Sequence, residues 1–234
     1  MIAVIDNRMP KSAKAGLSEI CEAVELPPFS SLDARVASHP DMLMFKLGNK
    51  LFVCEEYYKE AKNVIDKIIN NSNLELVLTN DKLGNQYPQD IKFNAFLINN
   101  TIIGNTKCIS PCLKEYADST GITLTSVNQG YAKCSTVVLD NAVITADKSI
   151  YKVAQELGAD ALHISPEGVE LEGYDCGFLG GASGVWENKV FFCGNIGSHK
   201  NFDTIFSFCT AHGYEVISLS DEPLYDVGTI MFFE

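Results

Sequence analysis

The side chains best suited to chemistry recur in five short polar segments, each placed just ahead of a pair of apolar stretches. These are His39-Pro40-Asp41, Tyr87-Pro88-Gln89-Asp90, Gly130-Tyr131-Ala132-Lys133-Cys134, Gly173-Tyr174-Asp175-Cys176-Gly177 and Leu224-Tyr225-Asp226-Val227-Gly228, with starts 48, 43, 43 and 51 residues apart. Brought together, Asp41, Asp90, Asp175 and Asp226 would form an acidic group suited to a guanidinium or ammonium, because carboxylates grip such cations through charge-assisted hydrogen bonds. The competing reading is that these acids cap turns and accept backbone hydrogen bonds. Cys134 and Cys176 hold corresponding places in adjacent segments. Lys133 favours the thiolate at Cys134, whereas Asp175 disfavours it at Cys176. Of four histidines only His39 lies in such a segment, which makes it the candidate proton carrier. His163 falls in an apolar stretch and reads as a core residue.

The elements that must position these residues follow a loose repeat of helix, stop and strand. Apolar spacing of three and four residues predicts helices from Ser12 to Val24 and from just after Cys54 through Ile69. A third is bounded by Ser110 as cap, Pro111 at the first helical position and Gly121 as left-handed stop. Two more run from Lys148 to Leu157, before Gly158, and from Phe202 to His212, before Gly213. Strands follow at 74–78, 122–127, 161–164 and 214–219. Hairpins are predicted about Gly48-Asn49, Asn99-Asn100, Asp140-Asn141 and Glu187-Asn188. The last copy breaks off at Thr229-Ile230-Met231-Phe232-Phe233, one strand into its hairpin, and Ile2-Ala3-Val4-Ile5 is available as its partner. Units that cannot bury both strand faces alone must pack against one another, so the expectation is one α/β domain over residues 1–234, closed by pairing its first and last strands.

Composition narrows the possible partners. A net charge of −12 with scattered basic residues argues against nucleic acid and anionic membrane surfaces. No apolar run reaches the length of a membrane span, and the first residues read as a strand rather than an export signal. Eight cysteines, several inside apolar stretches, fit a reducing cytoplasm better than disulfides. Cys108 and Cys112 lack the spacing of a zinc or redox pair, so neither a metal nor a cofactor is expected. The run Gly177 to Gly184 lacks the lysine and hydroxyl ending of a phosphate loop; Gly180 and Gly181 read instead as points of close backbone approach.

The order of units resembles the pentein, or α/β-propeller, superfamily, which includes arginine deiminases, amidinotransferases and non-enzymatic translation factors. The resemblance implies five strand-strand-helix-strand units about a central site. Leu171-Glu172-Gly173-Tyr174-Asp175 is similar to the family's acidic, glycine-containing segment that holds a guanidinium. Two departures stand beside it. The family's enzymes carry a nucleophilic cysteine near the C-terminus, whereas the last cysteine here is Cys209 and the terminal segment reads Val227-Gly228-Thr229. No histidine is followed two residues later by an acid.

Two functions remain open at this level. One is a protein that keeps the ring and binds a small guanidino or amine ligand, or a macromolecular partner, without standard deiminase activity. The other is a thiol-dependent hydrolase or amidinotransferase, with Cys176 or Cys134 attacking the guanidinium carbon to form a thiouronium-like intermediate and His39 moving protons.

Overall fold

The computed structural model describes residues 1–234 and contains five three-stranded sheets of one pattern. In chain order the elements are β1 (Ile2–Asp6), α1 (Lys11–Ser18), β2 (Glu22–Leu26), α2 (Pro40–Leu43), β3 (Met44–Leu47), β4 (Lys50–Cys54), α3 (Glu55–Asn70) and β5 (Glu75–Thr79). There follow β6 (Phe96–Ile98), β7 (Thr101–Gly104), α4 (Pro111–Thr120), β8 (Thr123–Ser126), β9 (Thr136–Val138), β10 (Ala142–Thr145), α5 (Lys148–Glu156) and β11 (Asp160–His163). The chain ends with β12 (Val169–Glu170), β13 (Ser183–Trp186), β14 (Lys189–Phe192), α6 (Phe202–Ala211), β15 (Glu215–Ser218), β16 (Leu224–Tyr225) and β17 (Met231–Phe233).

Each sheet joins an antiparallel pair to a third strand that returns parallel after a helix: β3-β4-β5, β6-β7-β8, β9-β10-β11 and β13-β14-β15. The remaining sheet takes its pair from the two ends of the chain. Ile2, Ala3 and Val4 face Phe233, Phe232 and Met231 antiparallel, and β2 lies parallel on the other side of β1. The sheets are hydrogen-bonded internally and do not merge into one closed barrel; β12 and β16 form a separate two-stranded patch.

Local chemistry accounts for the turns. Asn99 and Asn100 both take positive φ (46° and 57°), the geometry that lets a two-residue hairpin follow strand twist. Gly121, Gly158 and Gly213 stand at φ of 71°, 77° and 82° after their helices, as their positions predict. Helix α3 buries Tyr57, Ala61, Ile65 and Ile68 as one stripe, and Asp147 caps α5 by accepting from the Ser149 and Ile150 amides at 2.8 and 2.9 Å.

Three expectations need correction. His163, read as a core residue, is exposed at the end of β11, with its Nε2 3.1 Å from the Ala146 carbonyl. The first helix ends at Ser18, and Val24 lies in β2 opposite Val4. Buried Val24 and Leu26 stand on either side of exposed Glu25, so the period of two wins once β1 supplies a neighbour. Ser110 does stand at the helix cap, but its hydroxyl bonds to Asp81 instead of a helix amide.

The first strands of the pairs, β3, β6, β9, β13 and β17, line a common cavity of about 440 Å³ through residues such as Phe45, Phe96, Val138, Val185 and Phe232. Phe233, 1% exposed, packs its ring into the largest apolar core beside Ile2. Phe233→Ala should lower unfolding stability by about 3–5 kcal/mol, read by urea denaturation. A loss under ~1 kcal/mol would mean that the terminal pairing carries little of the fold.

Candidate functional site

Segments far apart in sequence meet at the inner ends of these sheets. Pro40 starts the short helix α2, which turns Asp41 inward from just behind His39. The turn ahead of β9 brings Lys133 and Cys134, and the loop ahead of β17 brings Asp226 and Thr229. Asp41, Asp226 and His39 are each 1% exposed and Cys134 3%, so bulk water solvates none of them.

The contacts are specific. The Cys134 thiol donates to Asp41 Oδ2 at 2.8 Å, and the Thr229 hydroxyl donates to the same oxygen at 2.9 Å. Lys133 Nζ reaches the Thr229 hydroxyl at 3.2 Å and the Thr136 carbonyl at 3.3 Å. Asn94 fixes the turn by accepting from the Lys133 and Cys134 amides at 2.8 and 3.2 Å, and its Nδ2 lies 3.4 Å from Cys134 Sγ. Asp226 accepts from the Phe178 amide at 2.8 Å and the Gly228 amide at 2.9 Å. Asp6 accepts from the Arg8 amide and side chain and from Ser38, and lies 3.5 Å from His39 Nε2 without hydrogen-bond geometry.

Close approach requires residues without a side chain. A Cβ on Gly181 would fall 2.0 Å from Asp226 Oδ1, and one on Gly180 2.4 Å from the Thr136 backbone nitrogen. Thr229 is the costly exception. A β-branched residue at φ of 75° is strained, and here the hydroxyl it delivers ties Lys133 to Asp41.

Burial dominates the electrostatics. It pushes the Asp41 and Asp226 carboxyls above the ordinary carboxylate range, although hydrogen bonds to both and the charges of Lys133 and His39 pull the other way. It likewise lowers the Lys133 ammonium and the His39 imidazole. The Cys134 thiol is raised well above its usual value by burial and by the charges of Asp41 and Asp226. The activation that Lys133 suggests in sequence is therefore reversed in the folded site, where desolvation and two acids outweigh one cation.

Two cavities flank the Cys134–Asp41 bond. The large one between the strands receives Asp41, Lys133 and Thr229. The smaller, about 150 Å³, is bounded by His39, Cys134 and Asp226 and by the aromatic side chains of Tyr131, Tyr174 and Phe178. Of the residues singled out in sequence, His39, Asp41, Lys133, Cys134 and Asp226 thus come together. Asp90 is buried and holds Tyr131, a wall of the smaller cavity, whose hydroxyl donates to it at 2.7 Å. Cys176 is exposed and lines the smaller cavity from outside. Asp175 is exposed and borders neither cavity. In its segment, Gly173 and Tyr174 meet the protein's own Arg35, which donates to the Gly173 carbonyl at 3.0 Å and stacks 4.4 Å over the Tyr174 ring. Sequence reasoning missed Asn94 and Thr229 as members of the site. An asparagine in an apolar stretch and a threonine after glycine carry no spacing signal of their own.

The family model described as "Family of unknown function (DUF6873)" matches residues 4–231. The chain belongs to that family. A search of curated proteins found no match by sequence. Among solved structures, a mutant of DDAH from Pseudomonas aeruginosa complexed with citrulline superposes with a TM-score of 0.57 at 12% identity, covering 94% of this chain and 91% of that one. A dimethylarginine dimethylaminohydrolase adduct with 4-chloro-2-hydroxymethylpyridine gives 0.55 at 12% identity, with the same coverage. The amidinotransferase SxtG from Microseira wollei, of the saxitoxin biosynthetic pathway, gives 0.53 at 12% identity, covering 92% and 76%. These are pentein-superfamily proteins, and the likeness shows a mixed α/β fold of their kind for this chain.

His39 offers a direct test of the buried site. Its folded value lies below the usual imidazole value, so as pH falls through about 6.5 the unfolded chain takes up the proton first and stability is lost, at up to ~1.4 kcal/mol per pH unit. Asp41 and Asp226, with raised folded values, act oppositely, so the comparison must isolate the histidine. Urea unfolding between pH 7 and 5 should show a steeper loss in the wild type than in His39→Gln; equal slopes would contradict a buried neutral imidazole.

Proposed function

We propose that the five units close about one axis as an α/β-propeller, and that the smaller cavity on this axis binds a small cation bearing a guanidino or amine group. Closure is supported by the β1–β17 pair and by the cavity that one strand of every unit lines. The observation that carries the ligand class is the composition of the smaller cavity. Buried Asp226 sits in its wall with Asp41 directly behind Cys134, against Lys133 as the near cation, while the Asp6 charge is already matched by Arg8. An excess carboxylate charge and three aromatic faces favour a compact organic cation. At about 150 Å³ the space suits a head group more than a whole drug-sized ligand. The eight unpaired thiols suit a reducing compartment such as the cytoplasm.

The placement of Cys134 favours a second reading, thiol-dependent hydrolysis or amidino transfer. Its proton is directed at Asp41, so attack on a bound guanidinium carbon would form the S–C bond as Asp41 takes the proton. The amine would then leave with that proton, passed on from Asp41 by way of neutral His39, and water or an acceptor amine would release the thiouronium carbon. A bound cation also offsets the two acids that, with burial, raise the thiol. Structural neighbours named for guanidino substrates support this class of ligand for either reading.

Calorimetric titration with arginine, agmatine and guanidinium should detect binding, and Asp226→Asn with a native circular dichroism spectrum should weaken it about 10- to 100-fold, the worth of one charged hydrogen bond. Binding should fall away as pH drops toward the raised range of these carboxyls, above the ordinary value near 4. Ligand should also slow alkylation of Cys134. Product release that Cys134→Ser abolishes selects the enzyme; binding without release selects the binder. No binding by any of the three compounds rejects the ligand class.

A further inference from the structure

We propose that His39, Asp41 and Cys134 form a site for one divalent transition-metal ion of the zinc type. A ring nitrogen of His39, a carboxylate oxygen of Asp41 and Cys134 Sγ lie within 4.8 Å of one another, all in buried residues. Bonds of about 2.0–2.3 Å at a tetrahedral centre hold ligand atoms roughly 3.3–3.8 Å apart. That interval falls between the 2.8 Å separating Cys134 Sγ from Asp41 Oδ2 and the 4.8 Å limit, so small side-chain rotations suffice.

An independent observation points to an absent partner. Buried polar atoms are almost always hydrogen-bonded, yet His39 Nε2 and Asp41 Oδ1, on two of these three residues, have none. The surroundings already hold the ligands as an outer shell does. Asp6, fixed by Arg8 and Ser38, holds a carboxylate 3.5 Å from the His39 ring nitrogen Nε2. The Thr229 hydroxyl orients Asp41, and Asn94 Nδ2 lies against Cys134 Sγ.

Charge and ligand type agree. The ion displaces the Cys134 proton to solvent, and the resulting thiolate with the Asp41 carboxylate neutralises the dication, leaving Lys133 and Asp226 to balance each other. A mixed sulfur, nitrogen and oxygen set suits Zn²⁺ or Co²⁺ and is unsuited to Mg²⁺ or Ca²⁺, which take oxygen. Three protein ligands leave a fourth position, and the smaller cavity beside His39 and Cys134 gives it room for water or another small donor. This site stands apart from the organic-cation reading, although the two occupants compete for Cys134.

Chelator-treated protein titrated with Co²⁺ provides the test. Saturation at one equivalent with a near-ultraviolet thiolate-to-cobalt band and visible tetrahedral bands is expected. Cys134→Ser should remove the thiolate band and Cys176→Ser should keep it. Should Cys134→Ser fail to fold, Zn²⁺ must slow alkylation of Cys134 in the wild type at least tenfold while leaving Cys176 unchanged, as peptide mass mapping resolves. Absence of a thiolate band, its loss in Cys176→Ser, its persistence in folded Cys134→Ser, or unprotected Cys134 overturns the site. Organic ligands are titrated separately into the chelated protein, so either result stands without the other.

Discussion

The carboxylate of Asp41 is the constraint around which the centre of this protein is arranged. It is buried, bears a thiol and a hydroxyl on one oxygen and nothing on the other, and joins the segments that precede β3, β9 and β17. Taking a carboxylate out of water costs several kcal/mol unless the new surroundings answer its charge. Thr229 and Cys134 answer part of it. To deliver that hydroxyl the backbone holds Thr229 in a left-handed conformation, and Gly228 beside it, at φ of 63°, leaves no room for a Cβ, which would fall 2.2 Å from that of His39.

The same balance separates two kinds of acid at the centre. Asp6 is closed: Arg8 pairs with it and Ser38 bonds to it, so its charge is spent within the fold. Asp226 is held by two backbone amides, which fix its position without adding a formal positive charge. Lys133 is the nearby ammonium, and it contacts Thr229 and a carbonyl in place of either carboxylate. The centre therefore holds two carboxyls without a direct cationic partner next to a cavity with aromatic walls. The organic cation and the metal ion proposed above are two ways of compensating the same carboxyls.

A shared fold at 9–12% identity with guanidino-modifying enzymes describes the scaffold and leaves the reaction to the site. In this chain the thiol nearest the centre comes from the turn before β9, and the terminal loop contributes a threonine. Both side chains address the same oxygen of Asp41, so the chemistry open to the site depends on what occupies the cavity when the Cys134 proton is removed.

Much of the architecture was legible in the residues because it rests on local rules. Positive-φ asparagines and glycines set hairpins and helix stops, apolar spacing set the helices, and the unfinished last hairpin pointed to β1 as its partner. Where a local period was ambiguous, as between Ser18 and Leu26, the strand formed because β1 lay alongside. The polar lead-in segments identified His39, Asp41, Lys133, Cys134 and Asp226, but their types and spacing say nothing about depth. Only the tertiary structure put Asp175 and Cys176 at the surface, brought Asn94 and Thr229 in, and turned the expected activation of Cys134 by Lys133 into suppression by burial and two acids. Sequence neighbours act through one or two bonds and are visible in the chain; desolvation and charge act through space, and folding alone decides which groups share it.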